Sequence, residues 1–273
     1  MIDVVKKAKS AIKIGRVKFG NPIKQVDVGG YDIEVDVREG IQKGIFFGWY
    51  ETIETQWFNE ILKPGMTVVD VGASVGYYSF IASALVGNTG MVYAFEPSTY
   101  SFEKFTANIQ RNAIKNIKPY RFGLGNTECE KELFDSVGID INTENTHAPT
   151  FVPQTFYPVN GRSMGFLPII RLDKFWEENR LGNIDLVKID VEGYERPVLE
   201  GMENLFVQGK VKRVMIEYLQ PTPLFKTDTE SDLMDKLLES CGFEMVKAKQ
   251  YDFGVAGYMG NFMYALEPEE LKC

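Results

Sequence analysis

The stretch "IDLVKIDVEGYERPVLEGM", residues 184–202, joins the pattern of a buried strand to a run of charged residues. Its first part is apolar and rich in β-branched side chains, which predicts a strand over 184–190. Lys188 lies inside that strand, and Asp190 and Glu192 follow at its carboxyl end. The strand is therefore expected to bring carboxylates to one edge of a sheet.

Composition and charge indicate an ordinary globular protein. The chain has 273 residues, of which 44% are hydrophobic and 25% charged, and its three cysteines are far apart, which favours a reducing, cytoplasmic compartment. No run approaches the ~18 apolar residues of a membrane helix. The net charge of −8 argues against nucleic acid as a partner, because phosphate-binding surfaces cluster Lys and Arg. Whether copies associate into a homo-oligomer stays open.

From residue 67 onward, short apolar runs alternate with helical patterns, as in a βαβ series with a parallel sheet. The last two runs, 243–250 and 258–267, leave no room for a helix and predict an antiparallel hairpin. The expected fold is α/β, with a seven-stranded, mostly parallel sheet and helices on both faces. Strands are predicted at 67–72, 91–97, 117–122, 184–190 and 211–219, and helices at 75–86, 98–112, 194–207 and 230–241.

Two regions flank or interrupt this series. Residues 1–60 are interpreted as an N-terminal extension that contains a β-hairpin around Gly29 and Gly30, with a basic stretch at its start, and residues 61–273 as the main domain. Residues 135–170 are rich in Asn, Thr, Pro and Gly and predict an irregular insertion on the substrate side.

The segment "VVDVGASVGYYS" predicts a ligand loop between the first strand and the next helix. Asp70 ends the strand, and Gly72 and Gly76 permit a tight turn with unpaired N–H groups at the helix N-terminus. Ser74 stands where a dinucleotide-binding loop has its middle glycine, and the loop contains no Lys or Arg for a phosphate. The loop therefore suits a phosphate-free ligand, such as the methionine half of S-adenosylmethionine, with Asp70 near its amino group.

The second strand ends in Glu96, 24 residues after Gly72. An acid at this position can accept hydrogen bonds from both ribose hydroxyls of a nucleoside. Pro97 and Ser98 then stop the strand and cap the next helix. The end of the third strand lies beside the same crevice, so Phe122, Gly123 and Asn126 are candidates to flank an adenine.

These motifs resemble those of the FkbM-type methyltransferase family. The likeness rests on "TVVDVGASVGYYS", "YAFEP" and "DLVKIDVEGYERPVLEGM", with support from "GWYE", "RLDKF" and "VMIEY", and it runs from about residue 48 to 266. Many relatives have Asn where this chain has Ser74. The resemblance implies a class I S-adenosylmethionine-dependent fold and O-methylation of a small-molecule, sugar or glycan hydroxyl. The expected cofactor-binding residues are Glu51, Asp70, Gly72, Ala73, Ser74, Gly76, Tyr77, Glu96, Pro97, Ser98, Phe122, Gly123 and Asp190.

The expected catalytic residues are those at the acidic strand end. Asp190 is the first candidate for the base that takes the hydroxyl proton or orients the hydroxyl. Lys188 would pair with Asp190 or with Glu217 on the neighbouring strand. Asp190, Glu192 and Glu217 are an alternative set of ligands for a divalent metal. The single histidine, His147, lies in the insertion and is a weaker candidate for the base.

Two rival functions stay open. An NAD(P)-dependent oxidoreductase shares the sheet and the ribose acid, although the middle glycine and a Tyr-Lys or His pattern are missing. A non-catalytic protein that binds a nucleoside cofactor would also keep the loop and Glu96.

Overall fold

The computed structural model describes residues 20–137, 147–151, 162–220, 230–252 and 258–266. The basic stretch at residues 1–19 lies outside the described residues. The described strands are β1 (Ile23–Val28), β2 (Tyr31–Asp36), β3 (Thr67–Val71), β4 (Met91–Phe95), β5 (Ile117–Tyr120), β6 (Gly123–Leu124), β7 (Cys129–Val137), β8 (His147–Thr150), β9 (Arg162–Ile170), β10 (Leu186–Ile189), β11 (Arg213–Gln220), β12 (Glu244–Asp252) and β13 (Tyr258–Ala265).

Helices cover both faces of the central sheet. The α-helices among the described residues are α1 (Gly40–Phe47), α2 (Thr52–Ile61), α3 (Tyr77–Val86), α4 (Thr99–Arg111), α5 (Leu172–Glu178), α6 (Glu195–Glu200), α7 (Glu203–Val207) and α8 (Glu230–Ser240). Apolar residues of α1 to α4 pack on one face, and those of α5 to α8 pack on the other. The two hydrophobic cores lie on opposite sides of the same strands.

The central sheet has seven strands in the described part of the chain, in the order β12-β13-β11-β10-β3-β4-β5. Strands β3, β4, β5, β10 and β11 are parallel, and β13 is antiparallel to both of its neighbours. Strands β3 and β10 are buried on both faces, as their apolar runs predict. The predicted α/β fold with its terminal hairpin is confirmed.

The hairpin of the extension is bonded to the main body of the protein. Gly29 and Gly30 both have positive φ, which suits a two-residue turn between β1 and β2. On α4, the side-chain amide of Asn108 accepts from the N–H of Glu34 at 2.8 Å and donates to its carbonyl at 3.0 Å. Asn112, one turn further along α4, bonds the backbone of β2 in the same way. The two amides thus extend the hydrogen bonding of β2 on its outer edge.

The predicted irregular insertion at residues 135–170 is wrong where the structure describes it. A four-stranded sheet in the order β6-β9-β7-β8 includes residues from this segment. A register shift between Leu133 and Phe134 interrupts the pairing of β7 with β9, and prolines interrupt the sequence alternation. The structure does not describe residues 138–146 and 152–161, nor the side chain of His147.

The predicted helix at 194–207 is divided into α6 and α7. The break lies at Gly201, where a Cβ atom would be 2.1 Å from the carbonyl oxygen of Gly125. The carbonyl of Gly201 in turn accepts from the N–H of Asp173 at 3.1 Å. A close approach of separate chain segments therefore interrupts a helix that the local sequence favours.

Asn108→Ala should destabilise the protein because two backbone groups of Glu34 lose their partners. The expected loss is about 2 kcal/mol of unfolding free energy, measured by urea denaturation. The matched control is Asn59→Ala, since the exposed side chain of Asn59 donates a hydrogen bond to the carbonyl of Thr55 in its own helix. Equal losses in the two variants would contradict the anchoring of the hairpin.

Candidate functional site

A crevice lies at the carboxyl ends of β3, β4 and β10. The extension contributes Ile41 and Tyr50 to its wall, and the described end of the insertion contributes Phe151. The predicted site residues that line it are Gly72, Ser74, Glu96, Pro97, Phe122, Gly123, Asp190 and Glu192. The crevice therefore brings together residues of the predicted cofactor site and residues of the acidic strand end.

The glycine loop is held by a close contact between β3 and β10. Gly72 has a φ of +82°, and a Cβ atom there would be 1.8 Å from the carbonyl oxygen of Asp190. The N–H groups of Gly72 and Ala73 donate to the carbonyl of Phe95 at 2.9 and 3.1 Å. These two N–H groups therefore hold the turn against β4, and the assignment of Gly72 and Ala73 to the cofactor site stays a prediction.

Glu96 lines the crevice and bonds the backbone of the two loops beside it. Its carboxylate accepts from the N–H of Ser74 at 2.8 Å and from the N–H of Ser98 at 2.7 Å. Ser98 also caps α4, as its sequence position predicts. Burial raises the pKa of Glu96 to about 7, although the two N–H donors act in the opposite direction.

Asp70 lies behind the loop and does not line the crevice. It is 2% exposed, and its Oδ2 accepts from the hydroxyl of Ser79 at 2.6 Å. Burial raises the pKa of Asp70. The predicted contact with a cofactor's amino group is therefore replaced by a contact with α3.

Other predicted residues also lie away from the crevice lining. Tyr77 shares a hydrogen bond of 3.0 Å with Thr55, and Asn126 donates to Glu200 at 2.6 Å. Neither residue is part of the crevice lining. Gly76 precedes the first turn of α3, where a Cβ atom would be 2.2 Å from the ring of Phe105. These residues therefore contact other parts of the protein and not the crevice.

Lys188 is 2% exposed, and its ammonium donates to Asp190 Oδ2 at 2.9 Å. The predicted pair with Asp190 is confirmed. Asp70 lies beside Lys188 in the register of β3 and β10. Burial alone would lower the pKa of Lys188, but the carboxylates of Asp190, Asp70 and Glu51 raise it above its usual value. The ammonium therefore stays charged.

Three carboxylates meet beside this ammonium. Oxygen atoms of Glu51, Asp190 and Glu217 lie within 4.8 Å of one another, a spacing that could hold a cation. The structure thus groups Glu51, not the predicted Glu192, with the other two acids. Burial and the charge of Asp190 raise the pKa of both Glu51 and Glu217, while Lys188 acts in the opposite direction.

Glu192 belongs to the turn that follows β10. Its φ is +54°, and that of Gly193 is +96°. The buried carboxylate of Glu195 holds this turn by accepting from the N–H of Gly193 at 2.8 Å. Sequence reasoning missed Glu195, although its place two residues after a glycine could have indicated a role in capping the turn.

Two tyrosines of the site were also missed by sequence reasoning. Tyr50 lines the crevice, and Tyr78 donates a hydrogen bond from its hydroxyl to Glu51. Glu51 has a left-handed backbone with a φ of +36°, which is uncommon outside glycine. The segment "GWYE" was the available signal for Tyr50. The sequence does not distinguish Tyr78 from the adjacent Tyr77.

The sheet order, the glycine loop and the strand-end acids define a class I methyltransferase. The chain belongs to the FkbM methyltransferase family, because a model of the methyltransferase FkbM domain matches residues 70–245. The methyltransferase class expected from the sequence is confirmed. None of the helices in the described ranges has the length and apolar composition needed to cross a bilayer.

Individual relatives are similar over only part of their length. The hexuronic acid methyltransferase AglP of Haloferax volcanii is 30% identical over 136 residues, which are 50% of this chain and 49% of that protein. The ribosomal RNA large subunit methyltransferase E of Acinetobacter baumannii is 51% identical over 45 residues, which are 16% of this chain and 21% of that protein. The chain therefore spans about half or less of these curated relatives.

A solved structure of Aeropyrum pernix fibrillarin with natively bound S-adenosyl-L-methionine covers 92% of this chain and 85% of its own. The identity is 12% and the TM-score 0.46, too low to carry an argument. None of these proteins supports a metal in the site. The ribosomal RNA relative also means that the expected exclusion of nucleic acid is not supported.

Gly72→Ala should destabilise the protein far more than an alanine at another left-handed glycine. The control is Gly30→Ala, since Gly30 has a φ of +88° and no atom within 4 Å of the added Cβ. The control should lose roughly 1–2 kcal/mol from backbone strain alone. Gly72→Ala adds the overlap with Asp190, so its loss in urea denaturation should be clearly larger. Similar losses would contradict the close contact between β3 and β10.

Proposed function

We propose that this chain transfers the methyl group of S-adenosylmethionine to a hydroxyl of a sugar or glycan. The observation that carries the proposal is that Glu96 and Asp190 face one crevice from the ends of β4 and β10. Ligands of open α/β sheets bind at this edge. The sugar acceptor is supported by the similarity to a hexuronic acid methyltransferase.

The donors and acceptors of the crevice fit the nucleoside part of this cofactor. Each oxygen of Glu96 receives one backbone N–H, so lone pairs remain for two ribose hydroxyls. Phe122 and Gly123 line the same wall and suit a flat base. Among the described residues that line the crevice, none is Lys or Arg. This lining favours a cofactor without phosphates over NAD(P).

The carboxylates beside the crevice fit the cationic part of the cofactor. Because Asp70 lies behind the loop, Asp190 and Glu51 are the acids that would attract an ammonium or a sulfonium. Bound there, S-adenosylmethionine supplies an electrophilic methyl group. Asp190 accepts the proton of the acceptor hydroxyl, and Lys188 orients its carboxylate from 2.9 Å.

Phe151 and Tyr194 form the wall assigned to the acceptor. Their rings lie 5.6 Å apart, and both residues line the crevice. Aromatic side chains offer an apolar surface with a polar edge, which suits the mixed faces of a sugar. Because Phe151 immediately follows β8 of the insertion, acceptor choice is expected to depend on that segment.

Glu96→Gln should weaken the binding of S-adenosylmethionine about 10- to 100-fold, because charge-assisted hydrogen bonds to the ribose are lost. Isothermal titration calorimetry measures this change. The pKa of about 7 adds a pH effect. Below that pH the carboxyl is protonated and accepts fewer hydrogen bonds, so wild-type affinity should fall as the pH drops from 8 to 6, more steeply than that of the variant.

The control for this titration is Glu103→Gln, which makes the same charge change at an exposed position of α4. It should bind the cofactor as the wild type does. If the wild type binds neither S-adenosylmethionine nor S-adenosylhomocysteine, the proposed function is wrong.

Asp190→Asn should lower the turnover number about 10²- to 10⁴-fold, the usual contribution of a general base. Transfer of labelled methyl groups to a panel of hexoses, uronic acids and short RNAs measures it. Asp32→Asn, an exposed change in the hairpin, is the control. Methylation of RNA but of no sugar would overturn the proposed acceptor.

A further inference from the structure

Tyr78 connects the acid of the extension to the acid of the central strand. It lies in the first turn of α3 and is 4% exposed. Its hydroxyl donates a hydrogen bond to Glu51. The ammonium of Lys188 lies 4.6 Å from the centre of its ring, and the same ammonium bonds Asp190. The buried side chain of Tyr78 thus contacts both Glu51 and Lys188.

These contacts join three separate elements. Glu51 immediately precedes α2, Tyr78 belongs to α3, and Lys188 belongs to β10. Burial and the charge of Glu51 raise the pKa of Tyr78 well above its usual value, so the phenol remains a hydrogen-bond donor. A buried cation over an aromatic face is attracted by the negative face of the ring. Glu51, Tyr78, Lys188 and Asp190 therefore form one connected unit.

We propose that Tyr78 is a positioning residue that holds Glu51 and Asp190 together beside the crevice. This unit gives the site a preference for the cationic cofactor over its neutral thioether product. The inference rests on the proposed function, because it assumes that S-adenosylmethionine binds in this crevice.

The physical reason is the repulsion among the grouped carboxylates. Glu51, Asp190 and Glu217 lie within 4.8 Å, and one ammonium, that of Lys188, faces them. Glu51 also accepts a hydrogen bond from Tyr50, so loss of the hydrogen bond from Tyr78 would leave Glu51 less firmly held beside Asp190. A bound sulfonium offsets the repulsion, whereas a thioether does not. Among the described residues, Tyr50, Tyr77 and Glu192 also face Glu51, and Glu54 faces Tyr78.

The experiment compares the affinities of S-adenosylmethionine and S-adenosylhomocysteine by isothermal titration calorimetry. Tyr78→Phe keeps the ring under Lys188 and removes the hydroxyl. It should lower the ratio of the two affinities about tenfold in favour of the thioether, the effect of one charge-assisted hydrogen bond. In a Glu51→Gln background the same change should have little further effect.

The matched control is Tyr31→Phe, which removes a hydroxyl that bonds Ser83 on the same helix at 3.0 Å. It should leave the affinity ratio unchanged. If Tyr78→Phe weakens both ligands equally, or acts as strongly in the Glu51→Gln background, the positioning role is overturned.

A second measurement does not depend on the cofactor. The melting temperatures of ligand-free wild type, Tyr78→Phe, Glu51→Gln and the double variant form a double-mutant cycle. Coupling between the two changes supports the link between Tyr78 and Glu51, and additive shifts overturn it. A wild type that binds neither ligand contradicts the proposed function, and this cycle still decides whether the link exists.

Discussion

The burial of an ammonium in the central strand constrains the whole crevice. A lone buried charge costs several kcal/mol, so Lys188 requires partners at fixed positions. Asp190 supplies a hydrogen bond, Asp70 a charge on the adjacent strand, and Tyr78 an aromatic face. These partners come from β3, from α3 and from the end of β10. A shift of any one of these elements would therefore remove a partner from the buried ammonium. The geometry of the strand end therefore follows from the need to surround the buried ammonium of Lys188 with these partners.

The N-terminal extension is part of the site, although the family match begins at residue 70. Ile41 and Tyr50 line the crevice, and Glu51 completes the group of carboxylates. The segment that contains them follows the hairpin, which α4 holds through the side-chain amides of Asn108 and Asn112. Since α4 also begins at the loop that Glu96 organises, the two halves of the crevice share one support.

Local pattern was sufficient to predict the strands of the central sheet and the places of Gly72 and Glu96 at the ends of β3 and β4, and it gave Asp190 as one of two partners for Lys188. Contacts between distant segments were not predictable in this way. The division of α6 from α7 depends on a single approach of Gly201 to Gly125, and the insertion sheet depends on pairing across a bulge. Adjacent helix residues point about 100° apart, so packing alone decides that Tyr78, not its neighbour, reaches the sheet.

The charge of the strand end bears on how an acceptor can approach. Several carboxylates face one ammonium there, so a second anion near Asp190 would meet repulsion, whereas a neutral hydroxyl would not. An acceptor with its own carboxylate must therefore direct that group away from Asp190. The wall formed by Phe151 and Tyr194 lies on the crevice without adding charge to its lining, and the ammonium of Lys131 lies 4.9 Å from the ring of Tyr194. A positive charge therefore lies beside this wall, whereas the strand end that holds Asp190 is acidic.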